Sequence, residues 1–150
     1  MTLSLFLHVL SVVVWVGGMF FAYMALRPVA ASVLEPPQRL ALWAGVFGKF
    51  FPWVWLSVAL ILLTGLHMLT VFGGLAAPHY AMTMLVLGVV MMAIFAHVFF
   101  APYGRLKRAV AAQDWKAGGA ALGQIRRLIG INLSLGLLTI SVVFLGRAFA

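Results

Sequence analysis

The stretch that decides the fold is His8-Val-Leu-Ser11-Val-Val-Val-Trp15-Val-Gly17-Gly18, followed by an apolar run to Leu26 and then Arg27-Pro28. It is long enough to cross a bilayer, since about 20 apolar residues in a helix span a ~30 Å hydrocarbon core. On that helix His8, Ser11, Trp15, Gly18, Ala22 and Ala25 recur at alternating steps of three and four, so they share one stripe. The stripe carries an imidazole, a hydroxyl, an indole and three small residues. A helix facing only lipid has no use for such a stripe. A helix packed closely against others around a bound group does.

The rest of the 150-residue chain agrees with a membrane setting. It is 65% hydrophobic and 8% charged, against about 25% charged residues in a soluble domain. No basic residue precedes the first apolar run, and that run exceeds the roughly 7–15 residues of a signal-peptide core, so it is expected to stay in the protein as a span. The absence of cysteine rules out disulfides, thiolate metal sites, iron–sulfur clusters and c-type haem attachment. The net charge of +8 lies between apolar runs, where membrane orientation explains it without nucleic acid as a partner.

Four spans are predicted, at about 3–26, 51–72, 79–101 and 127–146, forming a single all-α domain, a four-helix integral-membrane bundle. Arg27, Arg39 and Lys49 fall in the first connection, and Arg105, Lys107, Arg108, Lys116, Arg126 and Arg127 in the third. Arg147 alone falls on the other side. This bias predicts both long connections in the cytoplasm and both termini outside, in a bacterial inner (plasma) membrane. Within the first connection Leu40, Trp43, Phe47 and Phe50 recur at helical spacing after Pro36-Pro37, which predicts a short interfacial amphipathic helix. The third connection is expected to prolong the helices on either side, with Asp114 as the N-cap of the last. Trp53, Trp55 and Tyr80 lie near span ends, as an aromatic belt requires.

Ionisable residues inside a span are functional candidates by default. His8 falls about 8–10 Å below the outer start of span one and His67 about 8 Å below the outer end of span two. Two imidazoles from antiparallel neighbours therefore arrive at one depth. Ser11 and Thr64 each lie one turn deeper than the histidine of their own span. His97 falls close to the cytoplasmic boundary of span three, with Asn132 at a similar depth on span four, and His79 at an outer mouth.

Two chemistries use such a pair. His8 and His67 can ligate a b-type haem, with Trp15 on the same stripe and Gly18 giving space, and a cytoplasmic-side variant would use His97 with Arg27 or Arg126. The role would then be electron transfer, with a quinone or another small redox molecule as partner and an oxidoreductase activity as one outcome. Alternatively the same imidazoles bind copper, which also accepts thioether sulfur. Met68 adjoins His67 but points about 100° away from it on the helix. A third reading is a packing subunit whose histidines only lock helices together. No Asp or Glu lies in a span, so carboxylate acid–base chemistry has no candidates. Gly17, Gly18, Gly130 and Ser134 suggest close helix contacts, compatible with a homodimer.

His8-x6-Trp15-x-Gly17-Gly18, with Arg27-Pro28 following, resembles the opening of the copper-resistance D (CopD) family, and more distantly the HemJ-type protoporphyrinogen oxidases. Phe51-Pro52, Thr64-Gly65 and the late histidine of span three extend the similarity. The CopD resemblance implies copper handling in the inner membrane. The HemJ resemblance implies a b-type haem with His8 as ligand. Between haem b and copper, haem is the favoured expectation, because two imidazoles suffice for haem but leave copper short of donors.

Overall fold

The computed structural model describes residues 1–149. Its helices are α1 (Thr2–Phe21), α2 (Arg27–Val33), α3 (Pro36–Val71), α4 (His79–Phe100), α5 (Pro102–Ala111) and α6 (Trp115–Ala148). A single π turn, Ala22–Leu26, joins α1 to α2, and a short 3-10 turn, Gly74–Ala76, precedes α4. Four of the resulting rods are long and apolar enough to cross a membrane. The chain is therefore a multi-pass membrane protein, and its exposed Leu, Val, Phe and Ile side chains face the solvent that suits them, lipid.

The bundle is built as two antiparallel pairs. α1 packs chiefly on α3, and α4 on α6, while α5 folds back onto α6. The glycines set how closely the rods approach. A Cβ at Gly18 would enter the Phe50 ring, and one at Gly136 would stand 3.0 Å from Val16 Cγ2. Gly17 has nothing within 4 Å of its Cβ position, so of the adjacent pair only Gly18 serves the crossing.

The helices outrun the bilayer at the basic end. α3 has 36 residues, about 54 Å of rise against a ~30 Å core. The interfacial helix expected in the first connection is not a separate element. Leu40, Trp43 and Phe47 are buried in the bundle, and the helix that carries them continues through Pro52 into the span. The same 3.6-residue period fits a helix lying on lipid and one packed on protein; here α5 and α6 reach beyond the membrane and cover that face. Leu106 and Ile125, both wholly buried, lie in this basic end. Phe47, Phe51, Phe95, Phe99 and Tyr103 stack and edge there at centroid distances of 4.9 to 6.3 Å. Asp114 caps α6 as expected, its Oδ1 accepting from the Ala117 N–H at 3.2 Å.

The helix of the first span does not stop at Arg27-Pro28. Proline has no N–H to give and its ring crowds the carbonyl four residues back. The π turn just before Pro28 answers this by widening the ladder, so that the Arg27 N–H reaches the Ala22 carbonyl five residues away. The extra residue shifts the helix phase. Ala22 is buried as the stripe predicts, but Ala25 is exposed, and the inward face continues at Ala30.

Candidate functional site

At the uncharged end of the α1/α3 pair the ring of His8 meets α3. Its Nδ1 lies 2.9 Å from Thr64 Oγ1, and Gly65 leaves space beneath it, since a Cβ there would stand 3.4 Å from His8 Cε1. The Thr64 hydroxyl donates to the Leu60 carbonyl at 2.5 Å. With that proton committed, Oγ1 meets the ring as an acceptor, so Nδ1 carries the ring's N–H and donates. The Ile61 carbonyl also lies beside the ring. A neutral imidazole protonated on Nδ1 keeps a lone pair on Nε2, which is the form that binds a metal ion.

The pairing of His8 with His67 is corrected by this arrangement. The depth match holds to within a turn, but His8 faces Thr64 while His67 is exposed. The buried face of α3 runs Val54, Ser57, Thr64, Met68. Met68, one turn beyond Thr64 on the same face, is 5% exposed, so the thioether points inward where the imidazole was expected. His97 and His79 are exposed as well. A b-type haem clamped between helices needs imidazoles turned toward a common space. Of the four histidines His8 alone is turned against a neighbouring helix by a side-chain hydrogen bond, so the donors present do not fit a bis-histidine haem within the chain. Among the described residues no group of three or more His, Cys, Asp or Glu is placed to hold one metal ion.

Deeper in the bundle the stripe of α1 is inward as predicted. Ser11 and Trp15 are buried, and the indole meets Phe95 edge-on at 6.2 Å. Trp15, Met19 and Asn132 border a void of about 20 Å³. Asn132 Nδ2 donates to the Met91 carbonyl at 3.2 Å, while its Oδ1 is buried without a hydrogen-bond partner. Met19, Met68 and Met91 are all at most 5% exposed, so soft sulfur lines the interior on three of the four rods.

Arg27 lies at the opposite, basic end. Its guanidinium sits over the Tyr23 ring, 4.2 Å from the centroid. Both residues border a cavity of about 330 Å³ that sequence reasoning did not anticipate. No histidine lines it, so the cytoplasmic-side haem that joined His97 to Arg27 lacks its ligand there.

These features define a four-span helical membrane protein with one anchored imidazole and a thioether-lined interior. Residues 44–145 match the family of copper resistance protein D, about two thirds of the chain, and the protein belongs to that family. No curated protein and no solved structure matches the chain. The matched region holds Thr64, Met68, Met91 and Asn132 but leaves out α1 and His8. The family links the protein to copper resistance, which fits the copper alternative; nothing in the match supports haem.

Proposed function

We propose that the protein carries copper ions across the membrane through the interior of its bundle, with His8 as the ligand at the uncharged end. The observation that carries this reading is the contact of His8 Nδ1 with Thr64 Oγ1 at 2.9 Å. With the Thr64 proton given to the Leu60 carbonyl, that contact leaves Nε2 as a donor, and Met68 follows Thr64 one turn away on the same face of α3. Imidazole suits copper in either oxidation state, and thioether suits Cu(I). Two donors are too few for a structural metal cage. They suit a cargo ion, which must bind well enough to enter and weakly enough to leave. Met91 and Met19 supply further soft contacts in the buried interior. The charge bias supports an inner-membrane orientation with the His8 end outside and the basic end in the cytoplasm.

The test is copper movement into vesicles containing the purified protein. His8→Ala and Met68→Leu are each expected to lower the rate by more than about tenfold, since losing even an outer partner of a ligand costs about 10–100-fold in metal affinity. His67→Ala and His97→Ala are expected to leave it unchanged. A His8→Ala protein that moves copper at the wild-type rate overturns the reading.

A further inference from the structure

The cavity at the basic end is assembled from three separate stretches of chain. The π turn and α2 contribute Tyr23 and Arg27, the start of α3 contributes Arg39 and Trp43, and the start of α6 contributes Trp115 and Arg126. Three arginines thus line about 330 Å³ of space, and neither acidic residue of the chain, Glu35 or Asp114, lines it. Like charges gathered around one cavity repel unless an anion lies between them. Arg27 Cζ lies over the Tyr23 ring. A contact with the ring face uses none of the guanidinium's five N–H donors as hydrogen bonds, so they can serve an oxyanion.

The remaining wall is apolar, with Leu40, Phe47, Ile125 and Ile129. A small hydrated anion gains nothing from such a wall, whereas an amphiphile does. The position points the same way. Arg27 directly follows the apolar run of span one, and Arg126, with Arg127 after it, comes just before that of span four, so these two cations stand at headgroup level. The π turn that accommodates Pro28 also shapes this lining. Here the turn contributes Ala22 and Tyr23 to the lining, and Arg27 follows it directly.

We propose that this cavity is a binding site for an anionic phospholipid of the adjoining leaflet, its phosphate held by Arg27, Arg39 and Arg126 and its glycerol and upper acyl carbons against the aromatic and aliphatic wall. The site is independent of the copper reading. It lies at the other end of the bundle and uses none of its residues.

The experiment is native mass spectrometry of the purified protein in detergent, titrated with phosphatidylglycerol and, separately, with phosphatidylcholine of the same acyl chains. Phosphatidylglycerol is expected to remain bound at a fixed stoichiometry, and phosphatidylcholine about tenfold less. Arg39→Gln and Arg126→Gln are each expected to weaken phosphatidylglycerol about tenfold. Lys116→Gln, with the same charge loss outside the cavity lining, should not. Thermal unfolding separates binding from misfolding. Without lipid the two arginine variants should melt no lower than wild type, because repulsion is relieved, and yet should lose the rise in melting temperature that phosphatidylglycerol gives wild type. Equal retention of both lipids, or a Lys116→Gln effect as large as that of Arg39→Gln, overturns the proposal. So does displacement of the lipid by millimolar inorganic phosphate, which would make the site one for a soluble anion.

Discussion

Replacing Thr64 by Val removes one hydroxyl and keeps the shape of the side chain. The Leu60 carbonyl loses its extra donor but sits in mid-helix, where the backbone ladder serves it. What disappears is the acceptor that fixes His8 Nδ1. Interhelical hydrogen bonds in membrane proteins are worth about 0.6 kcal/mol on average and at most about 1.7. The stability cost is therefore about 1 kcal/mol, which lowers the melting temperature by roughly 2–4 °C in a chain of this size. The functional cost is larger. Losing the partner that orients a metal-binding imidazole lowers metal affinity about 10–100-fold, or roughly 1.4–2.8 kcal/mol. The Ile61 carbonyl remains beside the ring, which places the expected loss near tenfold. Copper affinity would be read by competition with a chromophoric Cu(I) chelator in detergent, and stability by thermal unfolding of the same samples. Thr64→Ser restores the acceptor and should restore affinity. Wild-type affinity in Thr64→Val would refute the argument, as would a Thr64→Ser protein no better than Thr64→Val.

Gly18→Ala forces a methyl into the Phe50 ring; overpacking of this kind costs about 1–3 kcal/mol, the lower part of the range if the half-buried ring swings toward lipid. Gly17→Ala meets nothing within 4 Å and should be neutral or slightly stabilising, so equal melting temperatures for the two variants would show that α1 and α3 do not cross as described. Asn132→Leu removes an unpartnered buried oxygen together with one hydrogen bond. An orphaned buried polar group costs about 1–3 kcal/mol and the bond returns about 0.6, so the variant is expected to melt higher than wild type. A lower melting temperature would mean that Oδ1 has a partner, such as a water in the adjoining void.

Hydropathy carried most of the architecture. Four apolar runs of bilayer length can only be helices in lipid, and the four rods fall where the runs do. Asp114 was legible as a cap because its side chain can do little else three residues ahead of an unpaired N–H. The continuation of the first helix past Pro28 was not legible. A proline after an apolar run reads as a stop, and the π turn that carries the helix through is a local answer that no residue type announces. The separate interfacial helix failed for a related reason. Leu40, Trp43 and Phe47 show the period of an amphipathic helix, but the period does not say whether lipid or protein covers the apolar side. That depends on α5 and α6, which reach beyond the bilayer from far along the chain.

The site shows where periodicity reaches its limit. On α3, Ser57, Leu60, Thr64, His67 form one series of threes and fours, and Val54, Ser57, Ile61, Thr64, Met68 form another. Both share Ser57 and Thr64, and both fit a helix. They part after Ser57, at Leu60 or Ile61, and again after Thr64, where a step of three or four decides whether an imidazole or a thioether faces the bundle. Polarity favours the histidine as the inward residue, because a ring nitrogen in lipid is costly. Position overrides it. His67 lies within two turns of the end of α3 at Val71, close enough to the interface for an exposed imidazole to reach water. Met68 has no such need and fills the interior. The energetic argument that singled out two histidines therefore applies fully to one of them. His8 is held against α3 by Thr64, and its chemistry follows from that contact more than from its depth.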